Sequence, residues 1–551
     1  MKVRLKLIPT VLALIFLLNV FSLGATADVK YNAHDVEKFR AFLEETDANG
    51  VTNGSKINAL YDPDDPSTWN REDQGCSYKL GVNWNEDGRA VAFSCDYGVR
   101  AVVYGDFDVS GCDALEYVIA YGAAFESMNF DGCTSLSRLM MYSPEVPLEQ
   151  IDLSTNTALT KIVLNNNALT ELDLSGNPNL TQISVEYNEL SKLHLSGNSN
   201  LTQLSAKDNK LTELDLSGSP NLTYLSVDDN KLTELDVSNN MKLMTISCER
   251  NSIKDIDLTG LSELIELRCN YNELTAIDMS QCPELRHLQF NRNNIESIDL
   301  SQNLKLVTLD CAGNSLTELN VSGLTELWEI ECQSNELTSL DLRDTSINVL
   351  FCSGNKLQQI LFPENFNLLR LYCQNNRLSS LDFEYIPKLY SFNGDGNLFE
   401  ELLFSSKVTE FSCLGNPMRH LSLWHDSGSV ELFAQGNGAI GAFYDYDIMK
   451  YMARAEANDG ETFLGWYDES GNLVSEEADY ALDSTDCILY ARFSESVPTS
   501  TPSADPTQAP VDQDPDNPTP PITGAISLIC IGLAVAAGGA TAVFFHRKGR
   551  R

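Results

Sequence analysis

A mainly β fold, wound as a parallel solenoid between an N-terminal α/β cap and a small C-terminal β domain, is what three observations in the sequence predict. A leucine-bearing frame returns every 21 residues, as when LTQLSAKDNKLTELDLSGSPN (201–221) is laid over LTYLSVDDNKLTELDVSNNMK (222–242). One column of asparagines keeps step with it: Asn167, Asn188, Asn209, Asn230, Asn251, Asn272, Asn293, Asn314, Asn335, Asn355, Asn376, Asn397, Asn416 and Asn437. Of its thirteen steps, eleven are 21 residues, one is 20 and one is 19. Third, both flanks break the frame, the first with helical spacing and the second with short β runs.

The frame L-x-x-L-x-(L/C/V)-x-x-N-x-L-x-x-L-D-L-S is that of a leucine-rich repeat. Its leucines fill an interior that no coil closes alone, so the stack is the folding unit. The asparagine stands where each coil turns after its strand. An amide donates and accepts, and is expected to satisfy backbone groups of its own coil and the next. Leu115/Val118/Ala120 and Leu136/Leu139/Met141 continue the pattern in degraded form, which places the array at residues 101–438. Coils ~4.8 Å apart make the laddered part a rod of roughly 65 Å. Cys248, Cys269, Cys311, Cys332, Cys352 and Cys373 occupy the inward slot that other coils give to Val185, Val227 or Phe290. Cys112, Cys133 and Cys282 take the second-turn position of Asn177 and Asn198. Both sets read as buried small residues. Thiols stacked in a line do not converge tetrahedrally, so no metal is expected on them.

Residues 28–100 are expected to cap the first coil. Residues 36–45 (VEKFRAFLEE) have helical spacing at Val36, Phe39, Phe42 and Leu43, with Asp35 as N-cap. Trp69, Cys76, the run Gly81-Val82-Asn83-Trp84 and Arg89-Ala90-Val91 follow. This order resembles the N-terminal cap of leucine-rich-repeat proteins, except that the second cap cysteine, near Trp84, is missing. Against that resemblance two readings stay open: Cys76 pairs with Cys95 instead, or it makes no cap disulfide. Residues 439–495 read as strands at 440–446, 450–456, 462–467, 479–482 and 487–493, punctuated by Asn458-Asp459-Gly460 and Ser470-Gly471-Asn472. The run TFLGWYDESGNLVS resembles the small β repeats of Gram-positive surface proteins; a cap and spacer is the plainer reading of this domain, and ligand binding by it is the alternative.

The ends state an address. Residues 1–27 combine Lys2, Arg4 and Lys6 with an apolar run and Ala25-Thr26-Ala27, the layout of a cleaved secretory signal. Residues 496–521 form a proline-rich stalk that cannot bury a core. Residues 525–545 are uncharged and long enough to span a bilayer, with Arg547, Lys548, Arg550 and Arg551 beyond them. Pro521, Thr523 and Gly524 of the Pro-Ile-Thr-Gly run, that apolar stretch and the basic tail (residues 522–551 in all) resemble a sortase sorting signal, with Pro520 where Leu is usual. The resemblance implies cleavage between Thr523 and Gly524 and attachment to peptidoglycan, the membrane anchor serving before sorting. A permanent transmembrane helix is the other reading, and both put the bulk of the chain outside the cell. The whole layout resembles internalin-like bacterial surface proteins.

Charge narrows the function. The 551 residues carry 78 acidic against 38 basic side chains, a net −40. Such a surface repels phosphate and excludes nucleic acid as a partner. No G-x-S-x-G, H-E-x-x-H or phosphate-cradling loop is present, so no enzyme, cofactor or catalytic residue is expected. His420 and His425 lack an acidic or thiol partner at ligand spacing. The stripe Asp173, Asp215, Asp236, Asp257, Asp278, Asp299 and Asp341 is expected to accept hydrogen bonds from residues two places on; a row of Ca²⁺ ions is the rival reading. Ligand contact is expected from outward strand positions before the ladder: Tyr187, Tyr224, Arg268, Tyr271, His287, Phe351, Arg370 and Tyr372. These vary while the framework does not. The sequence therefore reads as a non-enzymatic, adhesin-like surface protein binding protein or glycan on host or neighbouring cells. The alternative is a structural spacer without a specific ligand.

Overall fold

Each coil contributes one short strand to a continuous parallel sheet, five or four residues long in the first coils and three from Gln182 on. Gln182–Ser184, Gln203–Ser205, Tyr224–Ser226 and Thr245–Ser247 pair in register, Leu204 opposite Leu225 and Leu225 opposite Ile246, and the progression runs on to Glu410–Ser412. Side chains alternate along a strand, so the middle residue of three points inward and its two neighbours outward. Ile183, Leu204, Leu225, Ile246 and Leu267 are accordingly buried in one core that follows the whole array. The computed structural model describes residues 29–71, 79–95, 102–142, 144–364, 366–425, 428–482 and 487–494. The signal at 1–27, Cys76, the stalk, and Pro521, Thr523 and Gly524 with the apolar stretch at 525–545 lie outside the described residues. Among the described residues no helix is long and apolar enough to cross a membrane.

The ladder amides hold the first turn. Asn209 Nδ2 donates to the carbonyls of Val185 at 2.9 Å and Ala206 at 3.1 Å, and its Oδ1 accepts from Leu190 N–H at 2.9 Å. Asn230 repeats this with Ala206 (3.0 Å), Val227 (3.1 Å) and Leu211 N–H (3.0 Å). Each amide thus serves its own coil and the one before it, not the one after it. The ladder also ends one rung earlier than the spacing predicts. After Asn416, Asn437 is exposed between two strands and donates to Glu461 Oε1 at 3.2 Å. The reason is that Gly428–Gln435 runs antiparallel to His420–His425, which stops the winding.

The inward cysteines are buried where expected, and Cys413 joins them. Burial pushes the thiols of Cys248, Cys311 and Cys413 up from their ordinary value. Thiolate chemistry is therefore suppressed along the column.

Both ends are closed by hydrogen bonds. At the start, Leu80–Trp84 pairs antiparallel with Ala90–Cys95, which joins Tyr117–Tyr121 of the parallel sheet. The helix begins earlier than its periodicity predicts, at Ala33–Glu44, and Asn32, not Asp35, caps it by accepting from His34 N–H and Asp35 N–H. Asp35 is fully buried in the first turn and takes Arg89 Nε at 2.8 Å and Ala90 N–H at 3.0 Å. That ion pair ties the helix to the cap hairpin. At the far end, Gly438–Asp445 continues the main sheet beside Glu410–Ser412, while Cys487–Phe493 lies parallel to Gly428–Gln435 in a second sheet. Trp466, Leu489, Ala491 and Phe493 belong to the same core as the coils.

Candidate ligand-binding face

Register sorts the outward residues into rows. Tyr224, His287 and Arg370 occupy the first strand position; Arg268, Phe351 and Tyr372 occupy the third. Tyr187 and Tyr271 are not strand residues, contrary to the expectation. The strands end after three residues, and both tyrosines sit in the turn just before a ladder asparagine, with φ of 55°. All thirteen coils from Asn167 to Asn416 place a left-handed residue there. Asn166, Asp208, Asp229, Asn375 and several glycines suit that backbone, whereas Tyr187, Arg250, Tyr271 and Arg292 do not.

The eight predicted residues do not form one site. From Tyr187 to Tyr372 they span nine coil steps, about 43 Å. Phe351 and Tyr372 do come together, stacked at 4.8 Å with planes 4° apart, and the Tyr372 hydroxyl lies 2.9 Å from Ser391 Oγ. Arg370 donates to the Tyr390 hydroxyl and lies over its ring. Arg268 is held by Glu266 at 2.7 Å, and His287 Nδ1 lies 2.9 Å from Thr308 Oγ1. Tyr271 is sandwiched by two residues the sequence reading passes over, Arg250 at 4.9 Å and Arg292 at 5.2 Å from the ring centroid.

Past Arg292 the left-handed row shrinks to Gly313 and Ser334, opening a groove of about 560 Å³ lined by Tyr271, Arg292, Asp310, Glu331 and Gln333. Burial pushes the Asp310 carboxyl up to about 6; Asn291 opposes the shift by donating to it, and Glu331 adds to it. The face is also braced from coil to coil: Ser205 Oγ donates to Glu186 Oε1 and Ser247 Oγ to Asp228 Oδ1, both at 2.6 Å.

A second group escaped the reading because its strands are apolar on both faces. Ile119, Met140 and Val163 cluster on the outward side, with Tyr121 and Tyr142 stacked at 4.4 Å. Strict alternation along Tyr117–Tyr121 and Arg138–Tyr142 would have marked them.

The acidic stripe behaves as the plainer reading has it. Asp215 accepts from Ser217 N–H and Asp236 from Ser238 N–H, both at 2.9 Å, and these serine contacts hold both carboxyls below their ordinary value. His420 is not without acidic partners: Glu431 lies at 2.6 Å and Glu401 at 3.4 Å, brought in from neighbouring strands. Among the described residues no group of three histidine, cysteine or acidic side chains is arranged to hold a metal.

No family model matches the chain, and no curated protein does. Among solved structures it is similar to the functional domain of InlJ from Listeria monocytogenes, described as including a cysteine ladder. That likeness has 23% identity and a TM-score of 0.46, over 70% of this chain and 91% of that one. YopM from Yersinia enterocolitica follows at 22% identity and a TM-score of 0.46, over 57% and 71% of the two chains. A leucine-rich-repeat protein of Leptospira interrogans has 21% identity and a TM-score of 0.43, over 52% and 86%. At these values the likeness carries no argument about ligand or activity.

Proposed function

We propose that this chain is a non-enzymatic, adhesin-like binding protein whose stiff strand face and adjoining turn edge hold a protein or glycan ligand. The observation that carries the reading is the left-handed row. Tyr187, Arg250, Tyr271 and Arg292 keep large side chains where the repeat elsewhere uses Gly, Asn, Asp or Ser. Each costs about 1 kcal/mol in backbone strain, so the fold alone gives no reason for them. The coil-to-coil hydrogen bonds favour the same reading, because a preorganised face loses little freedom on binding. The signal-like start and the sortase-like end support export and attachment to the peptidoglycan of a Gram-positive wall, with the membrane as anchor before sorting. The test is replacement of Arg268, Tyr271 and Tyr372 by alanine in the wall-displayed protein. Attachment of the displaying cells to host cells or matrix is expected to fall about tenfold or more; unchanged attachment with normal display sinks the proposal.

A further inference from the structure

Gly438–Asp445 and Lys450–Ala457 form a hairpin at the C-terminal end of the main sheet. Its four-residue tip is Tyr446, Asp447, Ile448 and Met449. Tyr446 is 65% exposed, Ile448 52% and Met449 68%. Three large apolar side chains side by side on a tip differ from scattered surface hydrophobes. The tip is also held in place. Asp445 Oδ1 accepts from Asp447 N–H at 2.9 Å and Ile448 N–H at 3.3 Å, and the Tyr444 hydroxyl lies 3.8 Å from Met449 Sδ. Met449 has φ of 55°, a place that hairpin turns give to Gly, Asn or Asp. The backbone therefore bears a cost to present a methionine to solvent.

The tip adjoins the strand face. The Tyr446 ring meets Tyr444 edge-on at 5.0 Å, and Glu410 and Tyr372 are among the groups acting on its phenol. Tyr372 is stacked on Phe351. In register, Asn393 and Ser412 stand between Tyr372 and the hairpin, so the tip is an apolar patch of its own at the end of the face. Glu410, Asp445 and Asp447 lie by it against Lys450, which pairs opposite Asp445, and the whole chain carries a net −40.

We propose that this end of the face is a docking surface for a protein partner that presents an apolar anchor flanked by lysine or arginine. The apolar tip supplies the contact, and the acids select a basic rim. An anionic membrane surface is disfavoured by the same charges. The inference rests on the binding reading above but assigns a different anchor and the chemistry of its occupant.

The test uses the whole exported protein with two amphipathic peptides of equal apolar content, one leucine–lysine and one leucine–glutamate. The wild type is expected to bind the lysine peptide about tenfold tighter. The triple variant Tyr446→Ser, Ile448→Ser, Met449→Gly keeps every charge and is expected to lose about tenfold in that binding with its melting temperature unchanged. Asp447→Lys is expected to weaken binding severalfold with the apolar set intact. As a charge control, Asp215→Asn with Asp236→Asn is expected to bind as the wild type. Unchanged lysine-peptide binding by the triple variant overturns the inference. So does tip-dependent binding of phosphatidylcholine vesicles without peptide binding, or tip-dependent self-association in sedimentation. Tyr187→Ala with Tyr271→Ala separates the two readings. If that pair loses attachment while the tip variant binds peptide normally, only this inference fails; if neither variant changes any binding, both fail.

Discussion

Every coil turns twice, and the two turns are built to different standards. The first carries asparagine in all thirteen coils from Asn167 to Asn416; the second accepts Asn177, Ser219, Asn240, Cys282, Thr345 and even Leu261 and Leu324. The hydrogen bonds explain the contrast. At the first turn the amide must donate to carbonyls and also accept a backbone N–H, as Asn230 does for Leu211. At the second turn only donation is used: Asn240 Nδ2 reaches Leu216 O at 3.1 Å and Ser219 O at 2.8 Å. The buried Oδ1 atoms of Asn156, Asn177, Asn198, Asn240 and Asn303 have no donor among the described residues. Serine, threonine and cysteine can donate as well, as Thr345 Oγ1 to Leu342 O at 2.8 Å and Cys133 Sγ to Val109 O at 3.1 Å show. A position that uses both functions holds asparagine throughout; a position that uses only donation admits several residues, and leucine where the coil does without the donor.

The sharpest way to break this comparison is at the first turn. Asn230→Ala strands Leu211 N–H, while the Ala206 and Val227 carbonyls lose one donor each and keep Asn209 and Asn251; a stranded buried group costs about 1–3 kcal/mol. A loss of about 2–3 kcal/mol is expected in urea unfolding of the exported protein. A loss below ~1 kcal/mol would show that the column is a habit of the repeat and not a requirement. Next in size, Asn240→Ala removes a donor alone and is expected to cost about 1–2 kcal/mol. Asn240→Ser restores a donor, as Ser219 does one coil earlier, and is expected to recover most of that loss. If Asn240→Ala proves as costly as Asn230→Ala, the asymmetry between the turns is gone.

The same contrast governs what the sequence made legible. The first turn was readable because its double demand leaves one residue in a column, and the core because leucines must meet in register. The winding's end was misread at Asn437, since an isolated asparagine at the right spacing carries no sign that the preceding strand has reversed. The face was only half readable. Alternation found Tyr372 and Phe351, but it put Tyr187 and Tyr271 on strands, because three-residue strands end too soon for a two-residue period to expose the turn. Arg250 and Arg292 became visible only once the left-handed row placed them beside Tyr271. The hairpin tip lay in a region read as a cap, where apolar residues pass for core.

A smaller effect sharpens the first turn's second feature. Tyr271→Asn puts a residue suited to left-handed backbone where Tyr271 has φ of 55°, and it gives up two cation–π contacts. Relief of about 1 kcal/mol is about balanced by two exposed cation–π contacts at the lower end of ~0.5–1 kcal/mol each. The expected result is equal or slightly raised stability together with lost ligand attachment. A clear loss of stability instead would mean that Arg250, Tyr271 and Arg292 are there to brace the turn, and the argument from strain to binding would fail.

The least change belongs to the entry of the second turn. Asp236 is exposed, and its carboxyl is held low by the Ser238 side chain and N–H. Its folded pKa is lowered, so its contribution is complete above the unfolded value near 4 and is lost as pH falls through the folded value. The wild type should therefore lose more melting temperature than Asp236→Asn between pH 5 and pH 2 (about the span of that titration), the variant being slightly the less stable near pH 7 and the two converging near pH 2. The same form of behaviour is expected of Asp215, Asp257, Asp278 and Asp299, whose carboxyls are lowered by the residue two places on. Repetition is what makes the effect measurable: one exposed aspartate shifts the acid limb little, but the stripe carries the same sign in coil after coil. If removing several of these aspartates leaves the acid limb unmoved, the serine contacts do not hold in solution, and the second turn is shaped by its buried donors alone.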